Sequence, residues 1–288
     1  MSSAAAPIYT TLVDVTTLAA HLDAPDWVVV DCRHDLSNPD FGQAAYADGH
    51  IPGARFLHLD RDLSGPMTGR NGRHPLPDRQ NLARLLGQIG IGDNTQVVAY
   101  DDAGGMFAAR LWWLLRWLGH PRAAVLDGGY RAWGDAMQPV SNEPAHILAR
   151  TFTERAGCGV VDAAHVLTHL GRPDMVVIDA RSPDRFRGEN ETLDPVGGHI
   201  PGAINRFFRD NLDDDGRFKP PAQLREAFAS LLSGHSADAV VHQCGSGVTA
   251  CHNLLAMEHA GLSGSRLYAG SWSEWCADPA RPVATGAI

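Results

Sequence analysis

The chain has 288 residues, a formal charge of −9 at pH 7, 44% hydrophobic residues and 20% charged residues. That length suits one large domain or two ordinary ones, and that composition suits a globular chain rather than a disordered one. The acidic balance argues against a protein that coats nucleic acid, while leaving room for a local basic pocket that holds a small anion.

No apolar run reaches the 18 residues of a membrane span, and the longest candidate, 107–118, is interrupted by Arg110 and Arg116. Met1–Thr10 carries no Lys or Arg and no apolar core, so no signal peptide is expected and the cytoplasm is the expected location. Five cysteines (Cys32, Cys158, Cys244, Cys251 and Cys276) form no CxxC pair and are odd in number. They fit free thiols in a reducing compartment.

In chain order, 28–31 is a β-branched run that reads as a buried strand ending in Asp31-Cys32-Arg33. His50-Ile51-Pro52-Gly53-Ala54 reads as a turn into a further short strand. A second apolar strand at 97–100 runs into the loop Asp101–Gly105 and then a helix, Met106–Leu118. Gly128-Gly129-Tyr130 and Trp133 follow, and 138–157, with Pro139, Pro144 and Gly157, reads as a connecting segment.

The chain then repeats itself, with matches spaced by about half its length. Asp179-Ala180-Arg181 echoes Asp31-Cys32-Arg33 after a strand at 176–179, and His199–Ala203 repeats His50–Ala54 letter for letter. A strand at 239–242, a glycine-bearing loop, a helix at Val248–His259 and the segment 269–275 complete the second copy. This predicts an α/β protein of two tandem domains, each a mainly parallel sheet flanked by helices. The expected boundaries are 8–140, a linker at 141–157, and 158–288. Because both halves carry them, Asp31, Arg33, Asp179 and Arg181 read as structural ion pairs, and Trp133 and Trp275 as packing residues.

The halves differ in one loop. Without gaps, Asp101 falls opposite Cys244, so one site per chain is expected, in the second domain, with the first catalytically silent. Cys244-Gly245-Ser246-Gly247-Val248-Thr249 lies at a strand end before a helix, where α/β proteins place their sites. Two glycines let the backbone curl, and a curled loop at a helix start aims several N–H groups at one point. Such a field favours thiolate over thiol and makes Cys244 a candidate nucleophile.

On this loop, the duplicated HIPGA turn and Ser271–Trp275, the chain resembles the rhodanese-type sulfurtransferases over nearly its whole length. It is most similar to those that use 3-mercaptopyruvate. Thiosulfate-specific members usually carry a basic pair where this chain has Gly245 and Ser246. The resemblance implies two rhodanese-like domains and transfer of sulfur from 3-mercaptopyruvate, through a Cys244 persulfide, to a thiol or cyanide. Thiosulfate is the alternative donor, and a non-enzymatic sulfur carrier the remote alternative. It further implies Ser246, His74 and Asp60 as a proton route and Arg187 as the carboxylate ligand. Gly245, Gly247, Val248 and Thr249 complete the substrate-binding loop. No metal or organic cofactor is implied, and the acceptor is a thiol such as a thioredoxin-like protein. Thr192 stands where a second arginine is common in the family, with Arg206 and Arg209 as substitutes. A monomer is expected.

Three other readings are weaker. A cysteine phosphatase needs an arginine six residues after the cysteine, where Ala250 stands, and a loop one residue longer. His242 and Cys244 lack further ligands at zinc spacing. Cys251, two helical turns after Cys244, reads as a packed cysteine rather than a resolving thiol.

Overall fold

The computed structural model describes residues 7–287. Residues 1–6 of the segment read as lacking a signal peptide, and residue 288 of the second domain, lie outside the described residues. Among the described residues no helix is long and apolar enough to cross a membrane.

The first half contains β1 (Leu12–Val13), α1 (Val15–Ala19), β2 (Trp27–Asp31), α2 (Phe41–Asp48), β3 (Arg55–Phe56), α3 (Arg79–Gln88), β4 (Gln96–Tyr100), α4 (Ala108–Trp117), β5 (Ala123–Leu126) and α5 (Gly129–Asp135). The second contains β6 (Val160–Val161), α6 (Ala163–His169), β7 (Val176–Asp179), α7 (Pro183–Arg187), β8 (Ile204–Asn205), α8 (Pro221–Leu232), β9 (Val240–Gln243), α9 (Thr249–His259), β10 (Arg266–Tyr268) and α10 (Ser271–Trp275). Each half forms one five-stranded sheet, ordered β1-β5-β4-β2-β3 and β6-β10-β9-β7-β8, and every pairing is parallel. Parallel strands covered on both faces need apolar side chains throughout. This is why 28–30, 97–99, 176–178 and 240–241 are contiguous runs rather than alternations.

The repeat is also visible in its polar details. Asp31–Arg33 and Asp179–Arg181 close buried ion pairs at 2.6 and 2.7 Å, and each arginine also donates to a carbonyl, Gly49 or Gly198. The fully buried Trp133 and Trp275 donate from Nε1 to Pro139 O and Pro282 O, each at 2.8 Å.

The two domains share one apolar core, and α4 packs on α9 across it. Arg110 is completely buried on α4. The segment 141–157 is strapped to the first domain. Ser141 bridges to His50, the Arg150 N–H donates to Gly87 O at 2.9 Å, and the Arg155 N–H donates to Leu118 O at 2.8 Å.

The core also holds two histidines that predict how stability depends on pH. Burial pushes His242 on β9 down to about 3 and His252 on α9 down to about 4, so both are neutral in the folded chain. The unfolded chain takes up these protons near its ordinary value of 6.5. Their contribution is therefore whole above pH 6.5 and is lost as pH falls from there towards 4 and 3. The urea unfolding midpoint is expected to drop steeply across that window. A midpoint that stays level between pH 6.5 and 4 contradicts this account.

Candidate active site

β9 ends at Gln243 and α9 starts at Thr249, so 244–248 is a short turn at the carboxyl end of a central strand. Gly247 makes the turn with φ +80°, and a Cβ there would stand 2.3 Å from Ala269 O, so only glycine closes it. Its N–H donates to Cys244 Sγ at 3.1 Å. Ser271 is held at φ +54°, a left-handed backbone costing a non-glycine residue about 1 kcal/mol. Its hydroxyl donates to Tyr268 O at 3.0 Å and accepts the Cys244 N–H at 3.1 Å. The first domain has Gly129 at this point, with φ +59°. That serine-for-glycine difference between the repeats was the sequence signal for Ser271, and the sequence reading missed it.

Several amides were expected at the sulfur. Among the described residues, the Gly247 N–H is the backbone amide within hydrogen-bond reach of it. The many-amide arrangement belongs instead to the first domain. There the buried Asp101 carboxylate accepts from Ala103, Gly105, Phe107 and Ala108 at 2.7–2.9 Å. Burial raises the Asp101 carboxyl while those four N–H groups oppose the rise. The two loops also differ in length, 101–107 against 244–248.

Ser246 and His74 meet across the domain interface. His74 Nδ1 lies 2.7 Å from Ser246 Oγ, and His74 Nε2 lies 3.1 Å from Asp60 Oδ1. The network assigns Nε2–H as donor to Asp60 and Nδ1 as acceptor from the serine hydroxyl. Burial pulls the His74 imidazole below its ordinary value despite the opposing pull of Asp60, and the hydrogen bond from His74 holds Asp60 low. The site therefore rests as a neutral imidazole between a hydroxyl and a carboxylate. His34, His58 and Asp60 cluster closely enough to suggest metal ligands. However, His58 Nδ1 accepts the Asp60 N–H at 3.0 Å and His58 Nε2 donates to Pro39 O at 3.0 Å, so neither ring nitrogen is left to bind a metal.

Arg110 fastens the two loops together. Its Nη1 donates to Gly247 O at 3.1 Å and its Nη2 to His74 O at 3.1 Å and Leu63 O at 3.3 Å. Cys251 lies beside it with its thiol on Gly247 O at 3.3 Å, and burial pushes that thiol up to about 12. It is a packed cysteine with no ready thiolate.

A cavity of about 240 Å³ opens over Cys244 between the domains. Leu36, Arg73 and Met106 line it from the first domain. Arg181, Arg185, Arg209, Phe207, Gly245, Ser246, Val248 and Thr249 are among those lining it from the second. Three expectations change. Gly247, unlike its neighbours in the loop, does not line the cavity. Arg187 does not reach it either, because its guanidinium pairs with Glu189 at 2.6 Å. Two residues along a helix turn the side chain by about 200°, so when Arg185 faces the cavity from α7, Arg187 faces away. Of the substitute arginines, Arg209 lines the mouth, whereas Arg206 is engaged with Asn211 and Asp210 O.

Comparison with known proteins gives one family. The rhodanese-like domain family matches residues 14–136 and again 162–278. A probable 3-mercaptopyruvate sulfurtransferase of Pseudomonas aeruginosa is 50% identical over 278 residues, 96% of this chain and 98% of that protein. A putative thiosulfate sulfurtransferase of Mycobacterium tuberculosis is 38% identical, over 96% of this chain and 97% of its own. The crystal structure of a 3-mercaptopyruvate sulfotransferase from Escherichia coli superposes with a TM-score of 0.79 at 30% identity, covering 92% of this chain and 99% of that one.

Proposed function

The chain belongs to the rhodanese-like family, with two copies of the domain, and from that membership we propose that it moves sulfur from 3-mercaptopyruvate to a thiol or cyanide through a persulfide on Cys244. The observation that carries this reading is the chain Cys244 loop–Ser246–His74–Asp60, assembled across the domain interface beside an arginine-lined cavity of small-molecule size.

In the first half-reaction the Cys244 thiolate attacks the donor sulfur. The donor's C–S bond breaks and its electron pair leaves on carbon as the enolate of pyruvate. The proton that began on the donor thiol ends on that carbon, with the Ser246 hydroxyl and neutral His74 as the route. In the second, an acceptor thiolate attacks the outer sulfur and restores Cys244, giving ping-pong kinetics. Asp60 orients His74 and stabilises its transient charge. The five unpaired cysteines suit a reducing compartment, so the cytoplasm is the proposed location. The shared core suits a monomer, and a thioredoxin-like dithiol suits the acceptor chemistry.

The test is a comparison of donors. kcat/KM is expected to be higher with 3-mercaptopyruvate than with thiosulfate, and the reverse order overturns the donor assignment. His74→Ala is expected to lower kcat/KM by about 10²–10³-fold through loss of proton transfer. Because burial holds His74 below 6.5, its acidic limb in the kcat/KM profile should lie below pH 6.5 and vanish in His74→Ala. A limb that survives the substitution assigns the titration to another group.

A further inference from the structure

We propose that Arg110, the buried arginine on α4 of the first domain, supplies the fixed positive charge that holds Cys244 as a thiolate. The inference rests on the reading of Cys244 as the nucleophile and names the group that ionises it.

The nucleophile loop itself does little of this. Among the described residues one backbone amide, that of Gly247, reaches the sulfur, at 3.1 Å. The charged groups around the cavity largely cancel. Arg73, Arg181 and Arg185 pair with Asp179, Glu191 and Asp194, three cations against three anions. His74 rests as a neutral imidazole, and Arg209 is exposed at the cavity mouth, where water and salt screen it.

Arg110 differs from all of these. It is completely buried, and among the described residues no carboxylate pairs with it. The carbonyl oxygens of Gly247, His74, Leu63 and Pro75 accept from its Nη atoms at 3.1–3.5 Å, and its Nε has no partner. Carbonyls solvate a guanidinium without neutralising it, and a buried cation with no counter-ion is costly. The acidic groups whose charge reaches Arg110 are two thiols, Cys251 and Cys244. Burial pushes Cys251 up to about 12, so it stays protonated. Cys244 is left as the anion that this cation faces.

Gly247 links the two. Its C=O accepts from Arg110 Nη1 at 3.1 Å and its N–H donates to Cys244 Sγ at 3.1 Å. The residue therefore turns its negative end to the cation and its positive end to the sulfur. In a buried setting the field of such a charge is little screened. The four carbonyls hold the guanidinium whether the thiol is protonated or not. The charge is thus in place before a donor arrives, and the fold does not depend on the thiolate. Among the described residues Arg110 makes no hydrogen bond to the sulfur itself, so it is a positioning residue that acts through Gly247 and through its field.

The test is the pH dependence of Cys244 alkylation by iodoacetamide, read by intact mass against Cys244→Ser, in Arg110→Met and Arg110→Lys of the full chain. The reagent is small and neutral, so its rate follows the thiolate fraction and not the arginines of the rim. Arg110→Met keeps bulk and removes the charge. Its rate at pH 7 is expected to fall by about tenfold or more and to rejoin wild type above about pH 10, where the thiol ionises unaided. Arg110→Lys keeps the charge but not the fork on the carbonyls, and should stay within about threefold of wild type. Without any Arg110 variant, the ultraviolet difference between wild type and Cys244→Ser should show a thiolate band at pH 7. The proposal is overturned by an unchanged rate in Arg110→Met, by a fall in Arg110→Lys as large as that in Arg110→Met (a role of shape, not charge), or by a wild-type protein with no thiolate band. Should Arg110→Met not fold, a fall of about tenfold in Arg110→Lys overturns it equally. Failure of the donor reading looks different. The wild-type protein would then gain no sulfur from 3-mercaptopyruvate, and the alkylation profiles would still decide the role of Arg110.

Discussion

Cys244→Ser is expected to reduce turnover with every sulfur donor by at least about 10⁴-fold, with the unfolding midpoint essentially unchanged. The substitution exchanges one sulfur for oxygen in a side chain that is 2% exposed, so packing is kept. What disappears is the atom that becomes the inner sulfur of the persulfide, and a serine hydroxyl is not ionised at neutral pH. No other thiol is placed to substitute. Burial pushes Cys158 up to about 11 and Cys251 up to about 12, raises Cys276, and lifts Cys32 well above its ordinary value. Residual activity above a thousandth of wild type in Cys244→Ser would mean that the reacting sulfur lies elsewhere.

The second large effect is on stability and lies in the first domain. Asp101→Ala removes the acceptor of four N–H groups at once, three of them buried. A buried donor left without a partner costs about 1–3 kcal/mol, so a loss of about 4 kcal/mol or more is expected even after some relief from no longer burying a carboxylate. The cost should also reach the reaction. The same loop leads into α4, whose Arg110 holds both Gly247 O and His74 O. Urea unfolding checks the first part, and a destabilisation under about 1 kcal/mol contradicts it. Asp101→Asn keeps one acceptor oxygen and should lie between the two.

Asp101 also shows how the duplicated domains diverged. One loop carries its own anion, permanently solvated by amides. The other is shorter, carries a thiol, and leaves a cavity above it for an anion that arrives and departs.

Much of this architecture was legible in the sequence. Parallel strands buried on both faces leave contiguous valine runs, and duplication presents each of them twice, so β2, β4, β7 and β9 appear close to their observed limits. The Cys244 loop stood out because its counterpart lacks the thiol. The edge strands β1 and β6, two residues each, are too short to leave any alternation. The helix α8 buries only the narrow stripe Leu224, Phe228 and Leu232, a weak signal in a run of small and polar residues.

In the site, the limits are geometric. His74 and Ser246 are 172 positions apart, and nothing in either segment points to the other, so their pairing came only through the family resemblance. The choice between Arg185 and Arg187 depends on which face of a five-residue helix meets the cavity.

The most direct measurement is the intact mass of the protein after exposure to 3-mercaptopyruvate alone, followed by peptide mapping. The expected result is the gain of one sulfur atom per chain, located on Cys244, released by a thiol acceptor and absent in Cys244→Ser. A chain that gains no sulfur, or carries it on a different cysteine, would contradict it.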